Sequence, residues 1–143
     1  MKLSRNLIVL VMLLMLLIAC GKSPEAARKE LGQMNIDYTE ESFVKYVERG
    51  DKVVVDLFLT AGMNPNLRTY GSSSVLHLAT HKVHNDVVNL LLAKGADVNA
   101  KGEEGRTALM SAVEENYPSI VKMLLAKGAD VNAGKKGRAH LIS

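Results

Sequence analysis

Three histidines, His77, His81 and His84, fall at i, i+4 and i+7. On an ideal helix that spacing gathers three imidazoles on one side, a donor set that suits zinc. His84, however, lies beyond the expected end of its helix, so the array does not close into a metal site. Gly128 to Lys136 is laid out like a phosphate loop, with five residues between Gly128 and Gly134 and then Lys135-Lys136. That is one residue too many, and the Ser or Thr that would hold magnesium is missing. No serine sits in a Gly-x-Ser-x-Gly elbow; Gly71-Ser72-Ser73-Ser74 reads as a loop entering a capped helix. The carboxylate pairs Glu40-Glu41 and Glu114-Glu115 fall at helix starts and on exposed faces, where solvated charge is ordinary. These residues make no catalytic set, metal site or cofactor site, and the expected protein is not an enzyme.

The remaining reactive residue is Cys20, the one cysteine. Before it stand Met1-Lys2-Leu3-Ser4-Arg5, an apolar run from Leu7 to Ile18, and Ala19. A basic start, a short apolar stretch and a small-residue stop make an export signal. The run has 12 residues, too few to cross a ~30 Å hydrocarbon core that needs about 20. Leu17-Ile18-Ala19-Cys20 resembles the lipobox of bacterial lipoproteins. That resemblance implies a diacylglycerol on the Cys20 thiol, cleavage before it, and a membrane tether of two or three acyl chains, each buried CH₂ contributing roughly 0.8 kcal/mol. Gly21 after the cysteine, in place of Asp, resembles outer-membrane lipoproteins. The expected location is the outer membrane, facing the periplasm.

Lys2 and Arg5 inflate the formal charge of +3; without them, 18 basic residues become 16 against 15 acidic, a formal +1. A nearly neutral mature chain with 4% aromatics and no tryptophan has neither the charge nor the stacking surface for nucleic acid.

The elements that must position everything else are written as a repeat. Ala93-Lys94-Gly95-Ala96-Asp97-Val98-Asn99-Ala100 recurs identically from Ala126 to Ala133, a displacement of 33, and 33 residues before Gly95 stands Gly62. The apolar positions follow the same period: Val54, Val87 and Ile120; Val55, Val88 and Val121; Leu57, Leu90 and Met123; Phe58, Leu91 and Leu124; Leu59, Leu92 and Leu125. Each copy reads as a helix pair. The first helix is capped by Thr39, Ser74 or Thr107, and the second is closed by Gly62, Gly95 or Gly128 in the left-handed region. Asp97-Val98-Asn99 and Asp130-Val131-Asn132 turn the chain outward into a hairpin. Ala79 and Ala112 mark where adjacent first helices approach. One such unit cannot bury its own apolar face, so the copies must stack.

Ser74-Val75-Leu76-His77-Leu78-Ala79 and Thr107-Ala108-Leu109-Met110-Ser111-Ala112, with the two Gly-Ala-Asp-Val-Asn-Ala segments, resemble the ankyrin repeat. The resemblance covers about Thr39 to Ala133. It implies an all-α solenoid of three stacked helix-turn-helix repeats with hairpin loops, preceded by a signal-peptide helix, and it makes His77 the motif histidine that hydrogen-bonds locally. The expected organisation is a leader at 1–19, a lipidated anchor and linker at 20–23, and a capping helix at 24–38, in which Ala27 and Leu31 share a face behind Pro24. Repeats follow at about 39–68, 69–101 and 102–134, then a partial fourth repeat or basic tail at 134–143. The turn between paired helices holds Gly50 and Asn116 but Val83 in the middle copy; a β-branched residue resists the left-handed region, so that turn is expected to differ. Gly137 to Ser143 resembles the opening of a fourth repeat without a second helix, so that end should fray or be covered by a partner.

Such scaffolds bind proteins through the hairpin tips and the exposed side of the first helices. By the internal alignment the first-helix positions are Glu48-Arg49, His81-Lys82 and Glu114-Glu115. The tip positions are Arg68, Tyr70, Gly71 and Ser73, then Lys101, Glu103, Glu104 and Arg106. Arg68 and Tyr70 lead, because Arg and Tyr are enriched at binding hot spots. The resulting expectation is a monomeric, non-catalytic binding module with an unidentified protein partner, tethered through Cys20. An immunity-type inhibitor of a periplasmic toxin or enzyme is its concrete form; a structural envelope or surface protein directed at host proteins is the alternative.

Overall fold

The computed structural model describes residues 4–19 and 21–133, and side chains throughout except at 14–19. Cys20 and the segment 134–143, read above as an anchor and as a partial fourth repeat or basic tail, lie outside the described residues. Eight α-helices occur among those described: α1 (Arg5–Ala19), α2 (Pro24–Gln33), α3 (Glu40–Arg49), α4 (Lys52–Thr60), α5 (Val75–His81), α6 (Asn85–Ala93), α7 (Ala108–Glu114) and α8 (Pro118–Ala126). Helices α3 and α4, α5 and α6, and α7 and α8 pack as antiparallel pairs; α3, α5 and α7 form one row, and α2, α4, α6 and α8 form the other.

The caps fall where the hydroxyls are. Thr39, Ser74 and Thr107 each accept the backbone N–H three residues on, at 3.1, 3.4 and 3.3 Å. The second helices end alike, with Gly62, Gly95 and Gly128 at φ 106°, 94° and 85°. The N–H groups of Met63, Ala96 and Ala129 then return to the carbonyls of Phe58, Leu91 and Leu124 at 2.9, 2.9 and 3.0 Å, closing each helix by a Schellman turn.

Helix α2 is built in the same way. Ser23 caps it, Pro24 occupies its first turn, Asn35 takes φ 55°, and Ile36 N–H returns to the Leu31 carbonyl at 2.9 Å. It is therefore a second helix without its first. Ala27 and Leu31 lie in the columns of Val54 and Phe58 and are fully buried. Both belong to the common core, and α2 packs on α4.

One core runs the length of the stack. Phe58 is its largest hub, with the rings of Tyr38, Phe43 and Tyr46 at 5.7, 5.5 and 6.4 Å. Ala79 and Ala112 are fully buried where α5 meets its neighbours, because only a methyl fits between closely spaced first helices.

The turn at Val83 corrects the expectation. Gly50, Val83 and Asn116 all stand in the left-handed region, at φ 73°, 61° and 61°, and the next N–H closes on Tyr46, Ala79 and Ala112 at 3.1, 3.0 and 2.8 Å. Packing fixes the turn and the valine accepts the strain. Part of the reason is the following residue: His84 Nε2–H donates to the Glu48 carbonyl at 2.8 Å. Its ring covers Gly50 so closely that a Cβ there would come within 2.5 Å of Nδ1.

Candidate protein-interaction surface

Two loops project from the stack, one between α4 and α5 and one between α6 and α7. Their bases are locked by an asparagine ladder that the sequence reading did not single out. Asn66 Oδ1 accepts from Asp97 N–H and Asn99 Oδ1 from Asp130 N–H, both at 2.7 Å. Asn64, Asp97 and Asp130 each accept the N–H two residues on, at 2.9, 2.9 and 2.8 Å. The repeated Asp-x-Asn is thus the signal for a bond that crosses between repeats, joining one loop to the next.

The first finger is a short hairpin. Thr69 donates its N–H and its hydroxyl to the Ser73 carbonyl, at 2.7 and 3.0 Å, and Gly71 and Ser72 turn the tip at φ 98° and 67°. Arg68, proposed from the sequence as a leading contact, spends its guanidinium on this loop. Nη1 donates to the Ser72 carbonyl and to the Lys101 carbonyl of the second finger at 3.0 Å. Glu103 extends its carboxylate over Gly71, and Arg106 pairs with Glu114. The cations and carboxylates of the fingers mostly brace one finger against the next element.

Tyr70 differs from all of these. It crowns the first hairpin at 98% exposure. Beside it runs a groove of about 220 Å³, lined by Glu40, Glu41, Val44, Leu67 and the Tyr70 ring. Sequence reasoning placed Glu40 and Glu41 only as first-turn acids of α3 and missed that the finger lies over them. Of the first-helix candidates, Lys82 reaches Glu48 at 3.3 Å and Arg49 stands over the Tyr46 ring at 5.7 Å. His81 and Glu115 are exposed.

The histidines go to separate tasks. His77 Nε2–H donates to the Arg106 carbonyl at 2.9 Å, which leaves Nδ1 to accept from the Ser74 hydroxyl at 2.8 Å. Burial holds its pKa below the usual 6.5, and Arg68 adds to that, while the Arg106 hydrogen bond works the other way. His77 is in this way a neutral bridge between the second repeat and the next finger.

Three helix pairs joined by bridged fingers, with the Ser-x-x-His cap between them, decide the family. A family model for ankyrin repeats matches residues 43–135, in three copies. The chain belongs to the ankyrin-repeat family. A comparison with curated proteins finds no match. Ankyrin repeats are protein–protein interaction modules, and no catalytic family matches the chain. His77 occupies the ankyrin motif position, and Met110 replaces it in the third repeat.

Proposed function

We propose that this ankyrin-repeat chain binds a protein partner while held by lipid on Cys20 to a bacterial outer membrane, facing the periplasm, and that it acts as an immunity-type inhibitor masking a toxin or enzyme there. The observation that carries the binding reading is Tyr70: a fully exposed aromatic on a finger braced from both sides, beside an apolar groove rimmed by Glu40 and Glu41. A loop whose backbone is braced before binding has less entropy to lose on contact. The tether is supported by the lipobox-like Leu17-Ile18-Ala19-Cys20. Leu7 to Leu13 of α1 are also exposed, with no core of their own, and no helix among the described residues is long and apolar enough to cross a membrane.

Two variants test the two halves separately. Tyr70→Ala should weaken capture of the partner by about 1–2 kcal/mol or more with the helical signal unchanged; unaltered affinity removes Tyr70 from the interface. Cys20→Ser should release the chain from the membrane fraction and abolish incorporation of labelled fatty acid. Continued membrane retention would refute the lipid tether. The inhibitor reading predicts that a toxin is encoded beside the gene and that co-expression protects cells from it; loss of protection on Tyr70→Ala links it to the finger.

A further inference from the structure

The groove beside Tyr70 is lined by groups of two kinds. Val44 and Leu67, both half-buried, and the exposed Tyr70 ring make it apolar, and the exposed Glu40 and Glu41 add carboxylates. Both acids stand in the first turn of α3. The positive end of the helix favours an anion there, which accounts for the acids but not for the finger laid over them. The space is about 220 Å³, room for one long side chain and not for a helix about 10 Å across.

Charge is uneven around this tip. Arg68 is the one cation among the lining residues, and its Nη1 is turned to the carbonyls of Ser72 and Lys101, the second at 3.0 Å. From the second finger the Glu103 carboxylate reaches the same tip, where a Cβ on Gly71 would come within 2.5 Å of its Oε1. Among the described residues, Glu40, Glu41 and Glu103 take part in no ion pair. Lys45 and Lys101 are exposed and do not line the groove. An open aromatic is thus flanked by unpaired carboxylates, and the guanidinium nearest to hand is spent on carbonyls.

We propose that this groove takes an arginine side chain from an extended segment of the partner; the proposal rests on the reading of Tyr70 as an interface residue and names the chemistry that it meets. The aliphatic stem lies along Val44 and Leu67, as long cationic side chains do on apolar surface. The planar guanidinium stacks on the Tyr70 ring and donates to the Glu40 or Glu41 carboxylate. A lysine brings the charge without the plane or the fork. An acidic segment is repelled by the carboxylates, and a wholly apolar one strips water from them without replacing its hydrogen bonds.

The probes that test this are acetyl-Gly-Arg-Gly-amide and its counterparts with citrulline, the uncharged isostere of arginine, and with glutamate. Each is titrated into the full chain in a zwitterionic detergent and followed by NMR shifts. The arginine peptide should move signals of Val44, Leu67 and Tyr70 and bind about tenfold more tightly than the citrulline peptide. Glu40→Gln with Glu41→Gln, at exposed positions, should erase that advantage and leave the helical signal unchanged. Equal affinity for arginine and citrulline, or an advantage that survives the double substitution, would overturn the proposal and leave an uncharged docking groove, with the reading of Tyr70 intact. Tighter binding of the glutamate peptide would overturn it as well. No shift at the groove with any of these peptides would also overturn it, and the Tyr70→Ala capture measurement then decides the interface reading by itself.

Discussion

The two ends of the stack carry the same repeat chemistry and different cover. At the α2 end, Phe58 is enclosed by Tyr38, Phe43 and Tyr46. Arg28 lies 4.7 Å over the Tyr38 ring and donates from Nε to the Ala61 carbonyl at 3.3 Å, which Tyr38 also reaches at 3.2 Å. At the α8 end, Ile120 and Leu124 fill the matching inner columns, but Val113, Leu125 and Val131 face outward. In a linear stack each unit is stabilised by its own fold and by its immediate neighbours. What a residue contributes is thus set less by its column than by how many neighbours cover it.

The largest effect that would test this comes from truncation at the covered end. Phe58→Ala should cost about 3–5 kcal/mol, the range for emptying a buried aromatic site. Leu125→Ala, on a residue nearly half exposed, should cost about 1 kcal/mol or less. Urea unfolding followed by helical circular dichroism separates the two. Equal costs would mean that the α8 end is as well covered as the α2 end.

The middle repeat is covered on both sides and still carries a defect. Thr80 Oγ1 is buried with no hydrogen-bond partner among the described residues, in a column where the other two repeats hold Val47 and Val113. An unsatisfied buried hydroxyl costs about 1–3 kcal/mol, so Thr80→Val should raise stability by about 1–2 kcal/mol. A lower midpoint in the same urea titration would show that the hydroxyl has a partner. A smaller gain is expected at Val83, whose left-handed backbone is strained by about 1–3 kcal/mol. Glycine relieves that strain and forfeits roughly 0.5–1 kcal/mol of chain entropy, so Val83→Gly should yield a net gain on the order of 1 kcal/mol. A loss would mean that the valine side chain contributes packing that its 44% exposure does not suggest.

The helix pairs, their caps and the columns of the core were legible because each rests on a local rule repeated at one spacing. Thr39, Ser74 and Thr107 cap where hydroxyls precede apolar runs, and Gly62, Gly95 and Gly128 close helices where only glycine is at ease. Val83 misled because local preference and tertiary packing disagree there, and packing from both flanking helices prevailed. The surface was less legible. Arg68 and Tyr70 stand two residues apart and look equally suited to a partner, yet one is tied to two carbonyls and the other is bare. That difference depends on where Lys101 of the next finger lies, 33 residues away. Long-range hydrogen bonds such as Asn66 to Asp97 leave a repeat in the sequence but no sign of which group they reach.

The last prediction turns on the same contrast between repeats, since His77 bridges forward to Arg106 and Met110 has no such bond to make. The folded pKa of His77 lies below 6.5, so the unfolded chain takes up a proton first as pH falls. Stability from this site is complete above about 6.5 and declines as pH drops from there towards the lower folded value. Arg68 lies near enough to disfavour the imidazolium, and the Arg106 carbonyl needs only the Nε2–H that the neutral ring already supplies. Unfolding free energy measured across that window should rise with pH in the wild-type chain. His77→Met copies the third repeat into the second, and it should flatten this part of the profile. An identical slope in both proteins would mean that the ring is not held neutral, and the bridge from the second repeat to the third would lose its proton-dependent part.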